Sequence, residues 1–548
     1  MTDAELDAFF PRTHYESTPL GVVVAGSLSQ GLEVRLSPDR LIEGLAVGRY
    51  VVVHGQTDLR FFGMITDIAL EARHPDVLHM PPAAPDSFAA RAYSGTLTYA
   101  RLHVTPLLVM EGGVTRPART VPAHFTQVYD ATPEEVAQIF GSEKDPGHFY
   151  IGEPLEMPDT RVTLDLRRLV ERSSGIFGKS GTGKTFLTRM VLAGIIQQRV
   201  AVNLVFDMHN EYGWKSQEET SRQEVKGLRQ LFHDGRVSVF TLDPESSRRR
   251  NSKVDFEVRL SFEQIEPEDV EMLAPLLGFT DVQTNALYML RRKLGREWLL
   301  RLLDEEGTDE TLQALVSEDK IHEGTLGAMQ RKLSLLRRFD FLVEKSLGHE
   351  DPVQRILDYL NSGKSVILEF GRYGSALEAY ILVANYITRR IHKTYVERKE
   401  AALGERGQEP QPLVITIEEA HKFLDPGIAR HTIFGTIARE MRKYNVTLLI
   451  VDQRPSGIDP EVMSQIGTRI TALLDEENDI RAVFMGVSGA GALKEVLASL
   501  ETRQQALILG HAVPMPVVIR TRDYTSLYGA LGASSRAAQD EAALLYGD

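Results

Sequence analysis

An octapeptide near residue 180 constrains this chain more than any other feature. Residues 178–185 read GKSGTGKT, which fits the pattern G-x-x-x-x-G-K-[ST] of a phosphate-binding loop. The apolar stretch Leu164–Ile176 precedes it, and the segment from Phe186 to Ile196 has the apolar spacing of a buried helix. Strand, loop and helix in this order predict an α/β domain that binds a nucleoside triphosphate, whereas a glycine-rich surface turn would not need these flanking elements.

The chemistry of this loop predicts the role of each contact. Backbone N–H groups surround the phosphates, Lys184 reaches the β and γ phosphates, and the Thr185 hydroxyl can coordinate Mg²⁺. The predicted nucleotide-binding set is Gly178, Lys179, Ser180, Gly181, Thr182, Gly183, Lys184, Thr185 and Phe186.

Composition narrows the class of protein. A chain of 548 residues is too long for one core, so several domains are expected. No apolar run approaches the roughly 18 residues that span a bilayer, and the first residues lack the features of a signal peptide, which predicts a cytoplasmic protein without a membrane segment. The absence of cysteine excludes disulfides and thiolate nucleophiles. A net charge of −14 argues against a surface that coats nucleic acid, but it permits a narrow basic channel.

The chain divides by pattern into five segments. Short apolar strands between about residues 18 and 130 predict a small β-barrel. Beyond the phosphate loop, apolar strands alternate with helices, which predicts a mostly parallel sheet. The predicted segments are a barrel domain (1–150), the first part of the sheet domain (151–260), a helical insertion (261–360), the second part of the sheet domain (361–525) and a tail (526–548).

Two later strands deliver polar side chains to the edge of the sheet where an α/β domain binds its ligand. One ends in Glu418 and Glu419, and the other is followed by Gln453. We predict that Glu418 holds Mg²⁺ through water and that Glu419 orients or deprotonates the attacking water. Gln453 is suited to sensing the γ-phosphate through its amide. The alternative for these residues is capping of the elements that follow, which is compatible with catalysis.

A third strand ends in a motif whose chemistry the sequence leaves open. It supplies Asp207, His209 and Glu211 close together, and an oriented structural role is an alternative to metal binding for the histidine. The basic run Arg248–Arg250, with Lys253 and Lys215, offers candidate DNA contacts, although such runs are also common on solvated faces.

Taken in order, these motifs resemble the HerA family, within the HerA/FtsK group of RecA-like motors. The resemblance rests on the five segments GKSGTGKT, DxHxEY, EEAHKF, RKY and QRPS, which begin at residues 178, 207, 418, 442 and 453. It implies a RecA-like P-loop ATPase domain with a HAS-barrel-like N-terminal domain. It also implies a homohexameric ring with ATP and Mg²⁺ between subunits and DNA in the central pore.

The resemblance adds two arginines and a partner. Arg172 resembles the family's arginine upstream of the phosphate loop, and Arg442 resembles the arginine offered to the neighbouring subunit's nucleotide. The chain departs from the family pattern at Glu418, where Asp is usual, and at Ser173, where His is usual.

The implied function is a DNA translocase or helicase that acts with a NurA-like nuclease in DNA end resection and repair, with the N-terminal barrel as the docking face. An alternative is a hexameric ATPase scaffold that activates a separate effector in phage defence. A motor for transfer at a membrane is a more distant possibility, which the absence of an apolar span disfavours.

Overall fold

The structure is a computed structural model. It describes residues 18–55, 59–79, 81–82, 84, 87–155, 157–217, 224–304, 309–318, 320–345, 351–405, 407–430, 432–487, 490–501 and 504–529. Most of the predicted tail therefore lies outside the described residues.

Seven N-terminal strands form one sheet that contains the predicted barrel. They are β1 (Gly21–Ser27), β2 (Gly31–Leu36), β3 (Tyr50–His54), β4 (Arg60–Ala72), β5 (Thr98–Glu111), β6 (Val114–Pro117) and β7 (Gln127–Asp130). They are ordered β2-β1-β7-β3-β4-β5-β6, and a further pairing of β2 with β5 closes six of them into a barrel. Alternate residues of β5 point inward, as its burial pattern shows, so the barrel core is built by period-two patterning. The barrel prediction is confirmed.

Twelve of the remaining strands form one sheet, in the order β15-β14-β18-β11-β19-β20-β10-β21-β22-β23-β8-β9. Their bounds are β8 (His148–Pro154), β9 (Val162–Asp165), β10 (Ser174–Phe177), β11 (Val202–Asp207), β14 (Val237–Thr241), β15 (Phe256–Glu257), β18 (Ser365–Glu369), β19 (Leu413–Glu418), β20 (Val446–Asp452), β21 (Thr468–Thr471), β22 (Gln505–Gly510) and β23 (Val517–Thr521). Four two-residue strands pair locally: β12 (Ser216–Gln217) with β13 (Glu224–Val225), and β16 (Leu260–Ser261) with β17 (Leu342–Val343).

This sheet is parallel from β15 to β21 and antiparallel from β21 to β9. The parallel strands are continuous apolar runs because helices cover both faces. The antiparallel part differs from the predicted pattern. The apolar stretch Leu164–Ile176 divides into β9, the helix Leu166–Val170 and β10, and the predicted division at residue 150 falls within β8.

Helices flank the sheet and fill the predicted insertion. Those around the sheet are Leu166–Val170, Lys184–Gln198, Leu228–Leu231, Pro244–Arg249, Leu377–Leu403, His421–Leu424, Ile433–Glu440, Pro460–Gln465, Glu477–Val483 and Ala490–Ala498. Those of the insertion are Pro267–Glu271, Asp281–Leu294, Trp298–Leu302, Glu310–Ser317, Glu323–Leu333 and Pro352–Asn361. Three short helices belong to the barrel region: Asp76–His79, Phe88–Tyr93 and Pro133–Phe140.

The insertion is fastened to the long helix of the sheet domain. Arg389 and Arg390 of this long helix both pair with the fully buried carboxylate of Asp269, which belongs to the insertion. Within the insertion itself, the buried Trp298 donates its Nε1–H to the Ile265 carbonyl at 2.9 Å. Within the described residues, no helix is long and apolar enough to cross a membrane.

Candidate nucleotide site

The phosphate loop joins the end of β10 to the helix Lys184–Gln198, as the sequence predicts. Gly181 and Gly183 have φ values of +79° and +90°, which side chains other than glycine adopt only at a cost. At Gly178 a Cβ atom would lie 2.7 Å from the Thr182 hydroxyl oxygen. The glycines therefore let the backbone turn tightly and present its N–H groups at the N-terminus of a 15-residue helix, where negative charge is favoured.

Lys184 lies among the predicted acids. Its Nζ donates to the Lys179 carbonyl at 2.9 Å. Burial lowers the pKa of Lys184, and the nearby carboxylates of Glu419, Asp452 and Glu418 oppose that shift. The fold therefore brings Lys184, the lysine predicted to bind phosphate, close to the side chains at the ends of β19 and β20.

Glu418 offers one free oxygen in a buried position. Its Oε1 accepts a hydrogen bond of 2.8 Å from the Tyr212 hydroxyl, whereas its Oε2 is buried without a partner. Burial and the nearby Asp207 raise the pKa of Glu418 to about 8. A cation beside the free oxygen would favour the ionised carboxylate, so the donor set of Glu418 and the Thr185 hydroxyl fits Mg²⁺.

Glu419 stands at a strained position just after β19. Its φ of +48° lies in the left-handed region, which costs a non-glycine residue roughly 1–2 kcal/mol. The Gln453 amide donates to Glu419 Oε1 at 3.0 Å. In this structure Gln453 therefore holds the predicted base, and its role towards the γ-phosphate stays a prediction.

Two residues that the sequence analysis did not single out complete this cluster. His421 lies at the start of the helix His421–Leu424, and the buried Asp452 ends β20. The His421 Nδ1 atom lies 2.9 Å from Asp452 Oδ2 and 3.5 Å from Glu419 Oε2. One ligand atom from each of these three residues lies within 4.8 Å of the others.

The Asp207 motif shapes a loop beside the site. The buried Asp207 carboxylate accepts hydrogen bonds from the backbone N–H groups of Glu211 and Tyr212, both at 2.8 Å, and of Gly213 at 3.3 Å. This arrangement places Tyr212 against Glu418. His209 is exposed, and the roles of His209 and Glu211 stay open.

A pocket of about 360 Å³ adjoins the phosphate loop. Phe186 and Arg189 line it from the helix that follows the loop, and the opposite wall comes from Gln504 and the segment 521–525. The Arg189 guanidinium lies 5.5 Å from the centre of the Phe186 ring, and Arg189 as a whole is buried. No local pattern predicts this wall, because its residues lie more than 300 positions after the loop.

The two predicted arginines lie at the opposite edge of the sheet. Arg172 precedes β10, and Arg442 lies in a 3₁₀ turn, Met441–Tyr444, that precedes β20. The helix therefore ends at Glu440, before Arg442, whose side chain is outside the described part of the chain. Because β10 and β20 are parallel, both arginines belong to the edge far from the phosphate loop. Arg172 lines a pocket of about 460 Å³ at this edge, together with Arg439 and Thr447.

The basic candidates for DNA contact separate into two groups. Arg250 turns inward and pairs with the fully buried Glu369 at 2.6 Å, so its guanidinium is engaged within the fold. Arg248 and Arg249 are exposed on the preceding helix, and Lys215 pairs with Glu224 at 2.8 Å.

Comparison with known families matches two parts of the chain. Residues 149–391 match the family described as helicase HerA, central domain, and residues 20–116 match the HAS barrel domain. The chain is 25% identical to the DNA double-strand break repair helicase HerA of Pyrococcus furiosus, over 79% of each chain. It is 26% identical to the protein of the same name from Sulfurisphaera tokodaii, over 77% of this chain and 78% of the relative.

Among solved structures, the chain is similar at low sequence identity to two further proteins. VirB4 of Thermoanaerobacter pseudethanolicus is 14% identical, with a TM-score of 0.45 over 69% of this chain and 97% of that one. The bacterial conjugative coupling protein TrwB is 12% identical, with a TM-score of 0.46 over 72% of this chain and 92% of that one.

Proposed function

The chain belongs to the HerA family and hydrolyses ATP, and we propose that it uses this energy to move DNA through a ring of six subunits. The observation that carries the proposal is the convergence of Lys184, Glu418 and Glu419 at one edge of the sheet. The relatives named as double-strand break repair helicases support DNA as the substrate of the motor.

The phosphate loop would bind the triphosphate of ATP. Its N–H groups and Lys184 neutralise the β and γ phosphates, and the helix that follows adds the positive end of its dipole. Thr185 and the free Glu418 oxygen would hold Mg²⁺, which supplies positive charge to the phosphate oxygens. Glu419 accepts a proton from the attacking water, and Gln453 fixes the orientation of its carboxylate.

The opposite edge of the sheet would complete the site of a neighbouring subunit. Four residues of β10, at about 3.3 Å each, separate Arg172 from the phosphate loop of its own chain. The pocket beside Arg172 and Arg439 is open and cationic, which suits the phosphates of a nucleotide held by another subunit. This placement favours a ring in which ATP lies between subunits.

The motor function is tested by measuring ATP turnover of the full chain with and without linear duplex DNA. We expect duplex DNA to stimulate turnover, in a salt-sensitive manner because the contacts are to phosphates. Displacement of a third strand from a DNA triplex would report movement along the duplex. Turnover that is indifferent to DNA, together with no triplex displacement, would contradict the translocase proposal.

Glu419→Gln should retain ATP binding and lose about 10²-fold in turnover, because the amide keeps the shape but cannot accept the proton. Binding of a fluorescent ATP analogue and steady-state hydrolysis measure the two properties separately. Equal loss of nucleotide affinity would show instead that Glu419 acts in binding.

The barrel is the proposed docking face for a partner nuclease or other effector. Leu70, near the end of β4, and Phe88, in the connection from β4 to β5, have 78% and 83% of their surface accessible. Large exposed apolar side chains are favoured at protein interfaces. The double variant Leu70→Ser/Phe88→Ser should therefore weaken capture of a co-expressed NurA-like nuclease by at least about 10-fold.

The matched control for this prediction is Leu403→Ser, an equally exposed leucine, with 77% of its surface accessible, at the end of a helix of the sheet domain. ATP turnover without the partner should be unchanged in both variants. If the barrel variant captured the nuclease as well as Leu403→Ser does, the docking face would lie elsewhere.

A further inference from the structure

Asp452 fixes the position of His421 through two contacts, one to its backbone and one to its imidazole. Its carboxylate accepts the backbone N–H of His421 at 2.7 Å and the backbone N–H of Arg454 at 2.6 Å. It also lies 2.9 Å from His421 Nδ1, which must carry the proton because a carboxylate only accepts. Asp452 is 1% exposed, and the backbone of Gly457 packs against the histidine, where a Cβ atom would lie 3.3 Å from His421 Cβ.

The same imidazole N–H lies beside the proposed base. His421 Nδ1 is 3.5 Å from Glu419 Oε2, and the other oxygen of Glu419 accepts the Gln453 amide at 3.0 Å. One oxygen of the Glu419 carboxylate thus accepts a hydrogen bond from Gln453, and the other lies beside the imidazole that Asp452 holds. These neighbours of the carboxylate matter because the backbone of Glu419 is already in a strained left-handed conformation.

We propose that His421, held by Asp452, is a positioning residue that keeps the Glu419 carboxylate aligned for hydrolysis. The inference rests on the proposed role of Glu419. A bound cation at these three residues is the competing explanation for their proximity. It is disfavoured because the His421 Nδ1 atom, which faces both carboxylates, carries a proton and so has no lone pair for a cation.

The test begins with His421→Ala in the full chain. Loss of the imidazole beside Glu419 should let its carboxylate move, and a misplacement of about 1 Å costs on the order of 10²-fold in turnover. The KM for ATP should stay near the wild-type value because the phosphate loop is intact. His421→Asn, whose side-chain amide can replace the Nδ1–H, should recover part of the activity. Lys422→Ala changes the next, exposed residue and is the matched control.

A double-mutant cycle with Glu419→Gln separates positioning from a merely structural effect. If His421 acts through Glu419, adding His421→Ala to Glu419→Gln should cause no further loss of turnover. A full additional 10²-fold loss, or wild-type turnover in His421→Ala, would overturn the inference. Restoration of His421→Ala by Mn²⁺ or Zn²⁺ titration would favour the cation site and also overturn it.

The outcomes distinguish this inference from the function on which it rests. If Glu419→Gln is slow while His421→Ala is fully active, the role of His421 fails and the role of Glu419 stands. If Glu419→Gln keeps wild-type turnover, the proposed role of Glu419 fails first.

Discussion

ATP turnover should fall by on the order of 10³-fold in Lys184→Ala, with the fold retained. Lys184 donates to the Lys179 carbonyl and lies near the carboxylates of Glu418, Glu419 and Asp452, and it is not part of the apolar core. Its removal deletes the positive charge that the β and γ phosphates need, but it opens no large apolar cavity. Hydrolysis at saturating ATP measures the loss.

Thermal unfolding with and without ATP supplies the control. A ligand that binds only the folded state raises the melting temperature according to its affinity. Lys184→Ala should keep the melting temperature of the ligand-free wild-type chain but show a smaller rise on addition of ATP. Wild-type turnover in this variant would show that the phosphate loop is not part of the catalytic site.

The central part of the site could be predicted because its information is local. A strand, a glycine-rich loop and a helix are contiguous around Lys184, and the two acids follow directly after an apolar run. Parallel strands bring their carboxyl ends to one edge, so the meeting of Lys184 with Glu418 and Glu419 follows from the predicted fold class.

The rest of the site depends on contacts that no local pattern encodes. Asp452 and His421 lie 31 positions apart, and their hydrogen bonds exist only because β19 and β20 are neighbours. The pocket wall that includes Tyr524 is formed by the segment that follows β23. This strand belongs to the antiparallel part of the sheet, whose strand order no sequence pattern indicated.

Charge runs are ambiguous for a related reason. Arg248–Arg250 reads as one basic patch, but the helix Pro244–Arg249 ends within it, and this turns Arg250 towards Glu369. The pairing of one arginine within the fold and the exposure of its two neighbours follow from helix geometry and from a partner 119 residues away. Composition alone cannot make that distinction.

Arg442→Ala should also lower turnover by on the order of 10³-fold, because negative charge that develops on the transferring phosphoryl oxygens needs a cation on the open side of the nucleotide. The seven residues of β20, at about 3.3 Å each, lie between the turn that holds Arg442 and the edge that holds the phosphate loop. We therefore predict that Arg442 acts on the nucleotide of another subunit. Lys443→Ala, which removes the adjacent exposed cation, is the matched control and should keep its activity.

Mixed rings test this action between subunits. Inactive Lys184→Ala subunits keep Arg442, and inactive Arg442→Ala subunits keep a complete phosphate loop, so a ring that contains both has some interfaces with both halves intact. Partial ATP turnover should return when the two variants assemble together, in proportion to the fraction of such interfaces. If Arg442 instead only stabilised the end of the preceding helix through the dipole, the single variant would lose little turnover and show a modest fall in melting temperature. Mass measurement must first verify that mixed hexamers form. If verified mixed rings show only the background ATP turnover of the two parent variants, the assignment is contradicted. Each intact pair of Lys184 and Arg442 in those rings would then be inactive.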